Sequence, residues 1–80
     1  MLEIYWTPAA RWALHTMHWR EAARIDAAVQ RFAATGEGQL SRVYEGDPRA
    51  LRLHLSPYNV RLFLDHESGV LTVAWVFRGR

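Results

Sequence analysis

The spacing of apolar and polar residues changes character midway along the chain. Leu2 to Trp6 alternates loosely and is rich in apolar and aromatic residues, which predicts a short strand. Thr7-Pro8 ends it and predicts a helix start, because the hydroxyl accepts an orphan N–H and proline has none to satisfy. From Pro8, the residues Ala9, Trp12, Ala13 and Thr16 recur at intervals of three and four and define one helical face running toward Trp19. A second face follows with Ala22, Ile25, Val29 and Phe32, and Gly36 stands where a left-handed C-cap closes a helix. No proline or glycine marks a break near His18 to Arg20, so one bent helix and two helices both satisfy this pattern.

Beyond Gln39 the helical period gives way to short apolar runs separated by Gly46-Asp47-Pro48, Ser56-Pro57 and Glu67-Ser68-Gly69, which are turn signals. The runs Leu51 to Leu55, Tyr58 to Leu64 and Val70 to Phe77 are predicted as consecutive antiparallel strands, with a weaker strand over Leu40 to Tyr44. A symmetric turn at Ser56-Pro57 pairs Leu53 with Val60 and Leu51 with Leu62. Pro57 argues for a longer loop of the same parity. A symmetric turn over His66 to Gly69 pairs Val60 with Trp75, Leu62 with Val73 and Leu64 with Leu71. Both hairpins then bury one apolar face, and a one-residue slip would turn that set outward.

The opposite face carries the candidate chemistry: Arg52 beside Arg61, His54 beside Asn59, Phe63 among them and Arg78 farther along. Like charges directly opposite each other on a sheet are destabilising. Either the face is simply solvated, its arginines splayed or paired with Glu45 or Asp47, or it is an anion site. In the second case a phosphate takes bidentate hydrogen bonds from the arginine pair and the His54 imidazole moves protons near neutral pH. Phe63 either packs or offers a stacking surface for a base. His54, equally, either takes part in this chemistry or hydrogen-bonds across the sheet.

Composition narrows the class. Eighty residues, half of them hydrophobic, suffice for one domain and not two. Cysteine is absent, which removes disulfides and thiolate metal sites and suits a reducing cytoplasm. His15 and His18 lie three apart without a third ligand in an obvious motif, so they are read as polar residues of one helix, and neither a metal nor a cofactor is expected. The N-terminus has no basic region followed by an apolar stretch and no long apolar run occurs, so neither a secretory leader nor a membrane span is expected. The formal net charge is +2, and every cation is arginine, the better phosphate clamp. Residues 41–80 carry the excess, with six arginines against four acids.

Several segments in order resemble RelE/ParE toxins: Ile4-Tyr5-Trp6-Thr7-Pro8-Ala9-Ala10, Arg31-Phe32-Ala33-Ala34-Thr35-Gly36-Glu37-Gly38, Leu51-Arg52-Leu53, Tyr58-Asn59-Val60-Arg61-Leu62 and Val73-Ala74-Trp75-Val76-Phe77-Arg78. Together they span nearly the whole chain. The resemblance implies an α+β domain over residues 1–80: an N-terminal strand, a helical hairpin, then a four-stranded antiparallel meander with the helices packed on one face. It implies the toxin component of a type II toxin–antitoxin system, with a cognate antitoxin covering a basic groove. RelE-like members enter the ribosomal A site and cleave mRNA, whereas ParE-like members poison DNA gyrase. Under the first activity, Arg52, Arg61 and Arg78 would stabilise the phosphate, His54 would help move protons, and Arg42, Arg80 and Phe63 would bind RNA. The chain departs from the pattern at Asn59, where an arginine commonly follows the tyrosine, and at Arg80, where many RNA-cleaving members continue to a tyrosine. Its helical region is shorter than in typical gyrase poisons, while Phe77-Arg78-Gly79-Arg80 resembles the ParE-like ending. An inactive remnant that only binds antitoxin is the third outcome compatible with these residues.

Overall fold

Thr7 begins the first helix as its sequence predicts: its hydroxyl accepts from the Ala10 amide at 3.1 Å and Pro8 occupies the first turn. The computed structural model describes residues 1–44 and 46–79. Its elements are β1 (Glu3–Trp6), α1 (Pro8–Thr16), α2 (Trp19–Thr35), β2 (Leu40–Tyr44), β3 (Asp47–Leu55), β4 (Tyr58–Asp65) and β5 (Val70–Arg78). The four C-terminal strands form the expected antiparallel meander, and β1 joins it parallel to β5, so the sheet order is β1-β5-β4-β3-β2. The helices cover one face of this α+β sheet.

The helical region is two helices. Its break is made by His18, whose Nδ1 accepts from the Arg20 amide at 3.1 Å and so caps α2, a role that needs no glycine or proline. His15 and His18 therefore do not share a helix: the first lies in the last turn of α1, the second at the head of α2. Gly36 closes α2 at φ 76°, in the left-handed region that glycine enters freely.

The core lies between the helices and the sheet. Ile25, Val29 and Phe32 of α2 enter it as expected, together with Ala33. On α1 the buried stripe differs from the expected one. Ala10 is buried and Ala13, Leu14 and Met17 pack against the core, while Trp12 is 70% exposed. Both sets recur at helical spacing, so periodicity alone does not choose between adjacent stripes.

Across β3 and β4 the expected register is present: Leu51 faces Leu62, Leu53 faces Val60, Arg52 faces Arg61 and His54 faces Asn59. The connection is shorter than expected, with Leu55 directly opposite Tyr58. The apolar pattern constrains parity and leaves loop length open. The strand β3 also begins earlier than its turn signals suggest, at Asp47. Pro48 falls in its first residues, ahead of the β3–β4 ladder that starts at Ala50, where a missing amide interrupts no pairing with β4.

Between β4 and β5 the register shifts. Leu62 faces Val73 and Leu64 faces Leu71 as expected, but Arg61 faces Trp75 and Val60 faces Val76. Ala74 is the extra residue of a bulge, and beyond it the side chains of β5 exchange faces. Val76 replaces Trp75 in the core.

Candidate functional site

The bulge settles the composition of the face turned away from the helices. Cross-strand partners share a face, so one row across the sheet reads Ser41, Arg52, Arg61 and Trp75. The next holds His54, Asn59 and Phe77, and the row on the other side holds Ala50, Phe63, Thr72 and Tyr5. Tyr5, Phe63 and Trp75 are exposed on it, and neither the arginine row nor the histidine row contains a carboxylate.

Arg52 and Arg61 are half-buried, and the Nε atom of each is buried without a hydrogen-bond partner. Leaving such a donor unmatched costs about 1–3 kcal/mol, more for a charged group. Carboxylates do not relieve it among the described residues, where the ion pairs are Arg24–Glu21, Arg31–Glu37 and Arg49–Asp47. Asp47, an expected partner for the pair, is occupied instead: hydrogen bonding from the Arg49 amide and then its guanidinium holds its carboxyl below the usual range. Glu45, the other expected partner, lies outside the described residues. One contact does steady the pair, since the Arg52 guanidinium lies over the Phe77 ring, 5.8 Å from its centroid.

His54 sits in the neighbouring row with Nε2 2.8 Å from the Ser41 hydroxyl, a hydrogen bond across the β2–β3 pair. Asn59 shares its row but is buried, because Gly79 folds back on it. The Gly79 amide donates to the Pro57 carbonyl at 3.0 Å, and a Cβ at Gly79 would stand only 2.5 Å from Asn59 Nδ2. A glycine there permits the close approach.

Of the residues singled out from sequence, the fold brings Arg52, Arg61, His54 and Phe63 onto one face. Arg42 faces Leu51 and Arg78 faces Tyr58, so both belong by register to the opposite face. For Arg78 the cause is the bulge at Ala74, which reverses parity at the end of β5. Arg80 lies outside the described residues. Sequence reasoning missed Ser41, Trp75 and Phe77. The run from Val73 to Phe77 is apolar throughout, so its pattern carries no mark of the phase change.

A concavity of about 590 Å³ runs between α2 and β3 past Arg24, Arg31, Glu37 and His54, and does not include the arginine pair. Enclosed volume suits a small molecule. The paired arginines lie instead on an open sheet surface, the geometry that suits an extended polymer.

No protein-family model and no curated protein matches the chain. Solved structures do. The isolated RelE toxin of E. coli superposes with a TM-score of 0.81 at 12% identity, over 100% of this chain and 86% of that one. The E. coli RelBE toxin–antitoxin complex gives 0.80 at 12% identity, over 100% and 99%. The chain has the RelE toxin fold. The RelBE2 toxin–antitoxin complex of Mycobacterium tuberculosis, at 0.66 and 20% identity over 96% and 90%, has it too. The likeness is one of fold, so the chemistry of the outer face rests on this chain's own side chains. In this version of the RelE fold the outer face combines two opposed arginines, a histidine–serine pair and a cluster of aromatics. No helix among the described residues is long and apolar enough to cross a membrane, and none of their His, Asp and Glu side chains form a group of three that could hold a metal ion.

Proposed function

We propose that this chain is the toxin of a type II toxin–antitoxin system and that it cleaves mRNA on the ribosome at a site built on Arg52 and Arg61. The carrying observation is the pair itself: two opposed guanidinium groups, each with a buried, unpartnered Nε. A phosphodiester offers two non-bridging oxygens that accept from both, and it offsets the repulsion between the two cations. In the reaction the RNA 2′-oxygen attacks the adjacent phosphorus, the bond to the 5′-oxygen breaks, and a cyclic phosphate remains. Charge accumulates on the non-bridging oxygens as the fifth bond forms, and preorganised guanidinium donors stabilise that state more than the ground state. His54, hydrogen-bonded to Ser41, is the group that takes the 2′-proton and returns a proton to the leaving oxygen. Phe63 and the neighbouring aromatics border the RNA path. Arg42 and Arg78, on the opposite face by register, stand off this RNA path.

The same face calls for an inhibitor of opposite charge. E. coli RelE and the Mycobacterium tuberculosis RelE-fold protein have been crystallised in toxin–antitoxin complexes, and here an acidic, amphipathic antitoxin segment would cover the arginine row and the exposed aromatics.

Brief induction of the chain followed by pulse-labelling of protein and DNA tests the functional class. Protein synthesis is expected to stop first, with chromosomal DNA intact. Early DNA breaks with translation still running would identify a gyrase poison instead.

A further inference from the structure

We infer that Trp75, flanked by Phe77, is a base-stacking subsite for the unpaired nucleotide next to the phosphate held by Arg52 and Arg61. This deepens the proposed function and rests on it for the identity of the phosphate.

The first support is the exposure of Trp75. Its apolar neighbours on β5 go into the core, with Leu71 and Val73 fully buried and Val76 6% exposed, whereas Trp75 is 53% exposed. Placing an indole in water forgoes a large burial gain. The bulge at Ala74 makes it face outward, and the bulge is held in place from elsewhere in the chain: the Thr7 hydroxyl donates to the Ala74 carbonyl at 2.9 Å and the Thr7 amide donates to the Val73 carbonyl at 3.1 Å. The face of the sheet on which the indole stands is therefore set by bonds from Thr7 to the bulged backbone.

The second support is position. Trp75 stands directly opposite Arg61, which stands directly opposite Arg52, so indole and guanidinium pair occupy one row. Phe77 is engaged by Arg52, leaving Trp75 as the aromatic that adjoins the pair in its own row. The third support is chemistry. A purely apolar partner would bury the remaining N–H groups of the two guanidiniums without an acceptor, on top of the two Nε donors that already lack one, which is costly. A single-stranded polynucleotide supplies an anion and a flat π face in every repeat, and stacking tolerates any base.

The test is fluorescence anisotropy at low salt with two labelled oligoribonucleotides of equal length, one of ordinary sequence and one abasic, against wild type, Trp75→Ala, Trp75→Tyr and Arg61→Gln. Trp75→Ala should weaken binding of the ordinary oligomer by roughly 5- to 100-fold and leave the abasic one unchanged, with Trp75→Tyr recovering most of the loss. Arg61→Gln should weaken both. Equal affinity of Trp75→Ala and wild type for the ordinary oligomer overturns the stacking subsite, and if Arg61→Gln still weakens both oligomers the phosphate site survives. Failure of wild type to bind either oligomer, with an acidic amphipathic peptide binding instead, marks the face as a protein interface and overturns the inference. Cooperative melting at or above the wild-type temperature confirms that the variants are folded.

Discussion

Thr7 Oγ1 donates to the carbonyl of Ala74 at 2.9 Å while accepting from the Ala10 amide at 3.1 Å. One hydroxyl thus caps α1 and holds the β5 bulge that turns Trp75 toward Arg61. Local helix chemistry and the composition of the outer face depend on the same side chain.

Replacing Thr7 with valine keeps its shape and removes both bonds. The cap and the bond to the half-buried carbonyl together are worth about 1–3 kcal/mol, so Thr7→Val should lower the melting temperature by roughly 5 to 20 °C, and Thr7→Ser by far less. Thermal unfolding followed by circular dichroism measures it. A loss in Thr7→Ser with none in Thr7→Val would mean that the methyl group, and not the hydroxyl, is what matters.

How legible this was in the sequence depends on whether polarity marked each choice. The Thr7 cap, the Gly36 C-cap and the β3–β4 register were readable because each has a chemical signature: a hydroxyl before proline, a glycine after an amphipathic run, strict alternation around Arg52, His54, Asn59 and Arg61. The bulge was not, because Val73 to Phe77 is apolar at every position and either phase buries hydrophobic residues. Trp12 was misplaced for a related reason, two stripes at helical spacing competing for one core. The helix break was hidden because His18 caps with a ring nitrogen in place of the usual hydroxyl or carboxylate. Of the site, Arg52, Arg61, His54 and Phe63 could be placed on one face, whereas the positions of Trp75, Phe77 and Arg78 follow from the bulge and were out of reach.

Arg61→Gln should separate folding from function. Removing one of two opposed cations relieves about 0.2–1 kcal/mol of cross-strand repulsion. The variant should melt about 1 to 5 °C above wild type at low salt, with the gap narrowing as salt screens the pair. A melting temperature well below wild type at every salt concentration would show that the pair is structural.

Antitoxin binding should stabilise as well as inhibit. At a free concentration about 100 times its dissociation constant, the proposed acidic segment adds about 2.7 kcal/mol, a clear rise in melting temperature for a domain this small. The complex should weaken at high salt and in an Arg52→Glu/Arg61→Glu double variant. Indifference to both would place the antitoxin elsewhere on the molecule.

The β4–β5 turn should respond to acid. Ser68, through its hydroxyl and then its amide, together with the Glu67 amide holds the Asp65 carboxyl below its usual range. Because the folded-state value is depressed, the turn's stabilisation is complete above about pH 4 and is lost as pH falls through that lowered value. Proton exchange at the Glu67 and Ser68 amides should accelerate over this window relative to the pH trend of the other turns, and in Asp65→Asn the step should vanish. A step of the same size in the variant would assign it to another group.

Primer extension on mRNA in programmed ribosomes, with purified protein added, tests the RNA chemistry proposed for the arginine pair most directly. Wild type should produce a discrete new 5′ end within the A-site codon, and Arg61→Gln, though folded, should reduce that product by at least tenfold. An unbroken message with wild type, or undiminished cutting by folded Arg52→Gln and Arg61→Gln, would contradict the assignment of this face to phosphodiester cleavage.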